Sequence, residues 1–180
     1  MTGPRSVAGA ILAIDTATTR AVVAIGDAGG RSLAIRTWDA GHRHGDDLLP
    51  AIRATLAEAG LALAQVGAIV VGTGPGAFTG LRVGLATAKA LAHALDRPLL
   101  GISSTEALLA SANAAHPDRD SDGRFRALLL PAGPNDRVLV EAGVARLLRG
   151  SDGADADAAL PPTDDLVAVD LDGRAPEAAT

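Results

Sequence analysis

Apolar residues come in short runs through the first forty positions. Ile11–Ile14 stops at Asp15, Ala21–Ile25 stops before Asp27, and Leu33–Trp38 makes a third run. Short apolar runs bounded by Asp, Thr and Gly read as strands. Asp15-Thr16-Ala17-Thr18-Thr19 separates the first two, and Asp27-Ala28-Gly29-Gly30 is a good hairpin connection for the second pair. An antiparallel meander of three strands is expected. The period then changes. Gly45-Asp46-Asp47 opens a helix whose acids suit the positive end of the helix dipole, with Pro50 tolerated near the start. Leu48, Leu49, Ile52, Leu56 and Ala59 fall on one stripe, and Gly60 ends it. Val66–Val71 reads as a strand, residues 72–76 as a glycine loop, Thr79–Leu95 as a long helix, and Leu99–Ile102 as a strand after Pro98. Ser103 or Ser104 caps a further helix with Glu106 in its first turn. The order is βββαβαβα.

Beyond His116 the signal weakens. Pro117–Gly123 reads as a polar loop, Phe125–Leu130 and Val138–Val144 as strands, and Leu166–Leu171 as a last strand. Ser151–Asp165, rich in Asp, Ala, Gly and Pro, reads as a loop or a disordered stretch. No internal repeat is present.

Composition narrows the chemistry. The 180 residues carry 16 Lys and Arg against 21 Asp and Glu, a formal net charge of -5. Cysteine is absent, which excludes disulfides, thiolate metal sites and cysteine nucleophiles and suits the cytoplasm. Two Phe, one Trp and no Tyr leave little to stack on bases or sugars. Lys89 is the sole lysine, and no basic run exists, so direct nucleic-acid binding is disfavoured. The first ten residues, with one Arg and no long apolar stretch, do not read as a leader. No run of about 18 uncharged apolar residues could span a membrane.

Each candidate motif has a plainer reading beside it. Gly72-Thr-Gly-Pro-Gly-Ala-Phe-Thr-Gly80 lies between a strand and a helix, where backbone N–H groups can cradle an anion. It lacks the Lys-Ser/Thr of a phosphate-binding Walker loop. The next strand ends in Ser103 instead of the ribose-holding acid of a Rossmann oxidoreductase. The plainer reading is a tight turn packing a helix on a sheet, with Gly74, Pro75, Gly76 and Gly80 as structural loop residues. In the following helix Gly84, Ala88 and Ala92 form a small-residue ridge. Such a ridge admits a second helix closely, or packs on the chain's own sheet. Asp15, Thr16 and Thr18 could form a weak magnesium–nucleotide site, or Asp15 could bond its own turn. His42 and His44 with Asp46 and Asp47 read more simply as capping and charge than as a metal cluster. No metal site is expected.

Taken together, Ile14-Asp15-Thr16, His44 with Leu48-Leu49-Pro50, Gly74-Pro-Gly-Ala-Phe-Thr-Gly-Leu-Arg82, and Ala88-Lys89-Ala90-Leu91-Ala92 with Pro98 resemble the TsaB (YeaZ) family over about residues 10–110. This family supplies the dimerisation subunit of the bacterial complex that makes threonylcarbamoyladenosine on tRNA. The resemblance implies an α/β chain with the actin-like ATPase fold, also ribonuclease H-like and shared with sugar kinases and Hsp70. Residues 8–104 would form a complete N-terminal lobe and residues 105–180 a reduced, divergent C-terminal lobe. The family's Asp-Ala-Arg-Arg segment and tyrosine are replaced near Leu129-Leu130-Pro131-Ala132-Gly133-Pro134.

The resemblance also implies a non-catalytic scaffold that supports a catalytic paralogue, TsaD, alongside an ATPase subunit, TsaE. It would meet tRNA only indirectly and would have no cofactor of its own; separately, an exposed helical interface makes a homodimer possible when the chain is alone. ATP and metal would belong to the partners. The carried-over interface comprises His44, Leu48, Leu49, Ile52, Leu56, Phe78, Leu81, Arg82, Gly84, Leu85, Ala88, Lys89 and Ala92. A large residue at Gly84 or Ala88 would then break the complex without unfolding the chain. Ser104 and Leu108 stand where the paralogue has two metal-binding histidines, and Leu108 cannot ligate a metal. The alternative is an independent ATP-binding enzyme of the sugar-kinase type, for which residues 125–180 offer no second phosphate loop or base.

Overall fold

The computed structural model describes residues 9–40, 44–118, 124–132, 136–152 and 160–169. The expectations for residues 1–8, for His42, and for 119–123, 153–159 and 170–171 lie outside these, as does the side chain of His44. The chain divides into two compact units. The first runs to Thr73 and resumes over Phe78–Ile102; the second takes Gly74–Ala77 and the chain from Ser103 on.

The first unit is the expected meander followed by two strand–helix crossings. Strands β1 (Ala10–Asp15), β2 (Arg20–Gly26) and β3 (Ser32–Asp39) pair antiparallel in turn. Helix α1 (His44–Glu58) leads to β4 (Val66–Gly72), and helix α2 (Phe78–Leu95) leads to β5 (Leu99–Ile102). A 3-10 turn at Leu63–Gln65, which the residue pattern does not announce, precedes β4. The sheet order is β3-β2-β1-β4-β5, with β4 parallel to both β1 and β5. Alternation sets the core: Leu12, Ile14, Val23 and Ile25 point one way, level with Ile69 and Val71 of β4. Leu48, Ile52 and Leu56 of α1 and Ala88 and Ala92 of α2 close over that face. Burying each large aliphatic side chain there contributes about 1.5–3 kcal/mol. Trp38 packs half-buried against the same cluster.

Both helices stop by the same device. At α1 the N–H of Leu61 reaches the carbonyl of Leu56 and that of Gly60 the carbonyl of Ala57, with Gly60 at φ 69°. At α2 the N–H of Arg97 reaches Ala92 and that of Asp96 reaches His93, with Asp96 at φ 51°. These paired bonds satisfy carbonyls that the helix ends leave open. In the β2–β3 hairpin, Asp27 accepts from the N–H groups of Gly29 and Arg31, both at 3.0 Å, and pairs with the Arg31 guanidinium. The backbone N–H and guanidinium of Arg31 hold its carboxyl below the usual carboxylate range.

The second unit contains helix α3 (Ser104–Ala115) and a sheet of order β8-β7-β6-β9, from β6 (Ala127–Pro131), β7 (Arg137–Glu141), β8 (Val144–Leu148) and β9 (Leu166–Ala168). Strand β6 is buried on both faces and packs against α3. The Asn113 side chain accepts from the Phe125 N–H at 2.9 Å and donates to its carbonyl at 3.2 Å, fixing the approach to β6. Short 3-10 turns at Gly150–Asp152 and Thr163–Asp165 occupy described parts of the stretch expected to be loop. No described helix is long and apolar enough to cross a membrane.

One expectation fails clearly. Val138–Val144 is not a single strand but the turn of a hairpin, with β7 and β8 paired antiparallel across Ala142 and Gly143. Both turn residues have positive φ, 50° and 78°. A two-residue hairpin turn of this hand normally takes Asn-Gly or Gly-Gly, so Ala142 conceals it. Ala142 also holds an unfavourable left-handed conformation. Ala142→Asn is expected to raise the melting temperature by about 1–3 °C, read by thermal denaturation.

Candidate functional site

The candidate residues of the first unit lie at the β1–β2 turn, at the start of α2 and along both the inner and outer sides of α1 and α2. The glycine loop that precedes α2 belongs to the second unit.

At the β1–β2 turn, Asp15 accepts the Ala17 N–H at 2.8 Å, closing its own turn. Thr18 donates to the Arg20 carbonyl at 2.8 Å. Thr16 is buried and donates its hydroxyl to the Gly80 carbonyl at 2.7 Å, joining β1 to the first turn of α2. Gly84 lies one helical turn further on, directly under Thr16, and a Cβ there would run into the Thr16 hydroxyl. The three residues carried as a weak nucleotide site therefore hold the turn and the helix in place. A buried hydroxyl already donating to a backbone carbonyl offers a phosphate little.

The loop has a second set of ties. Gly74, at φ 86°, donates its N–H to Ser104 Oγ at 3.1 Å and accepts the Ser104 N–H at 3.0 Å. The Gly74–Pro75 bond is cis. The Gly74 amide thus points at a serine, not into an open anion cradle. Ser104 is fully buried by this contact, while Ser103 caps α3, accepting the Glu106 N–H at 3.4 Å. Thr73, on the first unit, places its N–H and its hydroxyl on the Ile102 carbonyl, each at 2.8 Å. Among the described residues no cluster of three or more His, Cys, Asp or Glu is placed to hold a metal.

The two helices divide the carried-over interface residues into inner and outer sets. Leu48, Ile52 and Leu56 of α1 are core, as are Gly80, Gly84, Ala88 and Ala92 of α2. The ridge is already filled by the chain's own sheet and by Thr16. Leu48, Ile52, Leu56, Gly84, Ala88 and Ala92, expected to meet a partner helix, are buried within the unit. Leu81 and Leu85 are half-buried. The outer set is Leu49 at 52 % and Phe78 at 73 % exposure, with exposed Arg82 and Lys89. The Arg82 guanidinium lies over the Phe78 ring, 5.3 Å from its centre. Periodicity alone could not orient the ridge. The hydrogen bond of Thr16 and the clamp of Ser104 have no local sequence signal, because their partners are 64 and 30 residues away.

The sequence profile of the TsaD family, tRNA N6-adenosine threonylcarbamoyltransferase, matches residues 38–168. The tRNA threonylcarbamoyladenosine biosynthesis protein TsaB of Haemophilus influenzae is 40 % identical over 110 residues, covering 59 % of this chain and 44 % of that one. A tRNA N6-adenosine threonylcarbamoyltransferase of Novosphingobium aromaticivorans is 33 % identical over 159 residues, 77 % of this chain and 45 % of that one. The structure of YeaZ from Pseudomonas aeruginosa aligns with a TM-score of 0.61 at 32 % identity, over 77 % of this chain and 64 % of that one. The chain spans less than half the length of the relatives it matches in sequence. The fold is the actin-like ATPase fold.

The Thr16 contact makes a prediction about stability. Gly84→Ala and Thr16→Ala should each destabilise the chain by about 1–3 kcal/mol, the first by collision and the second by removing the buried hydrogen bond to the Gly80 carbonyl. The double variant should lose less than the sum, since Thr16→Ala clears the space that the new methyl needs. Denaturant unfolding of the four proteins measures it, and strict additivity would separate the two residues.

Proposed function

We propose a scaffold role for this chain, which belongs to the TsaD family and, within it, to the TsaB (YeaZ) group. In this reading the chain does no chemistry itself. It binds a catalytic paralogue of the TsaD type through the outer sides of α1 and α2. That paralogue transfers the threonylcarbamoyl group to adenosine 37 of tRNAs reading codons that begin with A. ATP, metal, tRNA and the ATPase subunit TsaE meet the complex through the other subunits.

One observation carries the reading. The polar groups that would serve a nucleotide are engaged within the chain, whereas large apolar side chains stand in water on α1 and α2. Phe78, at 73 % exposure, and Leu49, at 52 %, flank charged residues on helices whose inner sides are rigidly packed. Exposed aromatic and aliphatic anchors on preformed helices are what a protein partner buries at the centre of an interface.

The test is light scattering on a gel-filtration column, with the chain alone and mixed with the catalytic paralogue from the same organism. A one-to-one complex is expected, and separate elution counts against the scaffold role. Leu49→Ala with Phe78→Ala should weaken that complex by about tenfold to a hundredfold, read by calorimetry, while changing the melting temperature by no more than about 2 °C. Gly84→Val should instead unfold the chain, so loss of binding in that variant says nothing about the interface.

A further inference from the structure

Helix α2 has a marked charge asymmetry. Its 18 residues, Phe78–Leu95, contain no acid, although the chain as a whole has 21 acids against 16 bases. At 3.6 residues per turn, Phe78, Arg82, Lys89 and His93 fall within one outer stripe, on the far side of the helix from Gly80 and Gly84. All four outer residues are exposed. Neither Arg82 nor Lys89 has an ion-pair partner among the described residues. Lys89 is also the chain's sole lysine. The Phe78 ring receives the Arg82 guanidinium on its face, which restrains the cation beside the aromatic anchor.

We infer that this stripe docks an acidic helical surface of the chain's protein partner, with carboxylates set against Arg82 and Lys89. The inference rests on the scaffold reading above and adds the chemistry of the partner face. Arg82 and Lys89 are seven residues apart, about 10 Å along the helix axis. A partner helix with acids two turns apart matches that spacing. The exposed Phe78 within the stripe suits a protein interface, which combines apolar anchors with a charged rim. It does not suit a nucleic-acid backbone, whose approach the chain's net charge of -5 also opposes. Opposed charge rows set register and association rate, and reject partners with the wrong sign.

The test is calorimetry of the full chain with the catalytic paralogue at 50 and 300 mM sodium chloride. Three proteins are compared: the wild type, Arg82→Gln with Lys89→Gln, and Arg82→Glu with Lys89→Glu. Wild-type affinity should fall about tenfold between the two salt concentrations. At low salt the neutral pair should lose about tenfold and the reversed pair about a hundredfold, with melting temperatures unchanged. If the wild type binds but neither salt nor charge reversal changes its affinity, the inference is wrong while the scaffold reading stands. If the wild type does not bind at all, both fall. Fluorescence anisotropy with an unmodified tRNA transcript supplies the remaining arm. Tight binding by the wild-type chain alone, abolished by charge reversal, would give the stripe to RNA and overturn the inference.

Discussion

The first unit depends on how closely α2 approaches the β1–β2 turn. Thr16 bonds the Gly80 carbonyl at 2.7 Å, and Gly84, lacking a Cβ, leaves room for the threonine hydroxyl. A larger residue at 84 would lift the helix from the sheet, and Ala88 and Ala92 would then lose their seat over the core. The string of small residues along α2 therefore answers a demand within the chain. It lets a helix lie almost on the backbone of a sheet. The exposed phenylalanine, arginine and lysine stand on the side of the helix away from Gly80 and Gly84.

The glycine loop shows the same economy of polar groups. Gly74 adopts a left-handed φ that a side chain would resist, and both its amide and its carbonyl meet Ser104. A loop of this composition between a strand and a helix can cradle phosphate when its N–H groups stay unpaired. Here the Gly74 amide is paired with a buried serine instead. The same residue types thus serve two ends, anion binding or anchoring, and the tertiary partner decides which.

Much of the architecture was legible. Strands β1 to β5 and helices α1 to α3 follow from alternation, helical periodicity and the punctuation of Asp, Gly and Pro, with ends shifted by a residue or two. Gly60 terminates α1 as its position suggests. The β7–β8 hairpin was not legible, because Ala142 takes a left-handed turn position usually given to Asn or Gly. The family was legible from Gly74–Arg82, a long and specific string. The sides of the helices were only half legible. A ridge at every fourth residue is the same pattern whether a partner or the home sheet fills it, and only the position of Thr16, 64 residues away, resolves the choice.

Trp38 has a practical consequence. It is the chain's one tryptophan, there is no tyrosine, and it lies in the first unit against the α1 core. Indole emission therefore reports on the first unit alone, and the β6–β9 sheet is silent at those wavelengths. Backbone circular dichroism sees both units. A gap between the two melting curves would mark the units as separate cooperative blocks, and coincidence would mark them as one. The scarcity of aromatic residues, which weakened any case for base stacking, gives the chain an optical label on one half with no engineering.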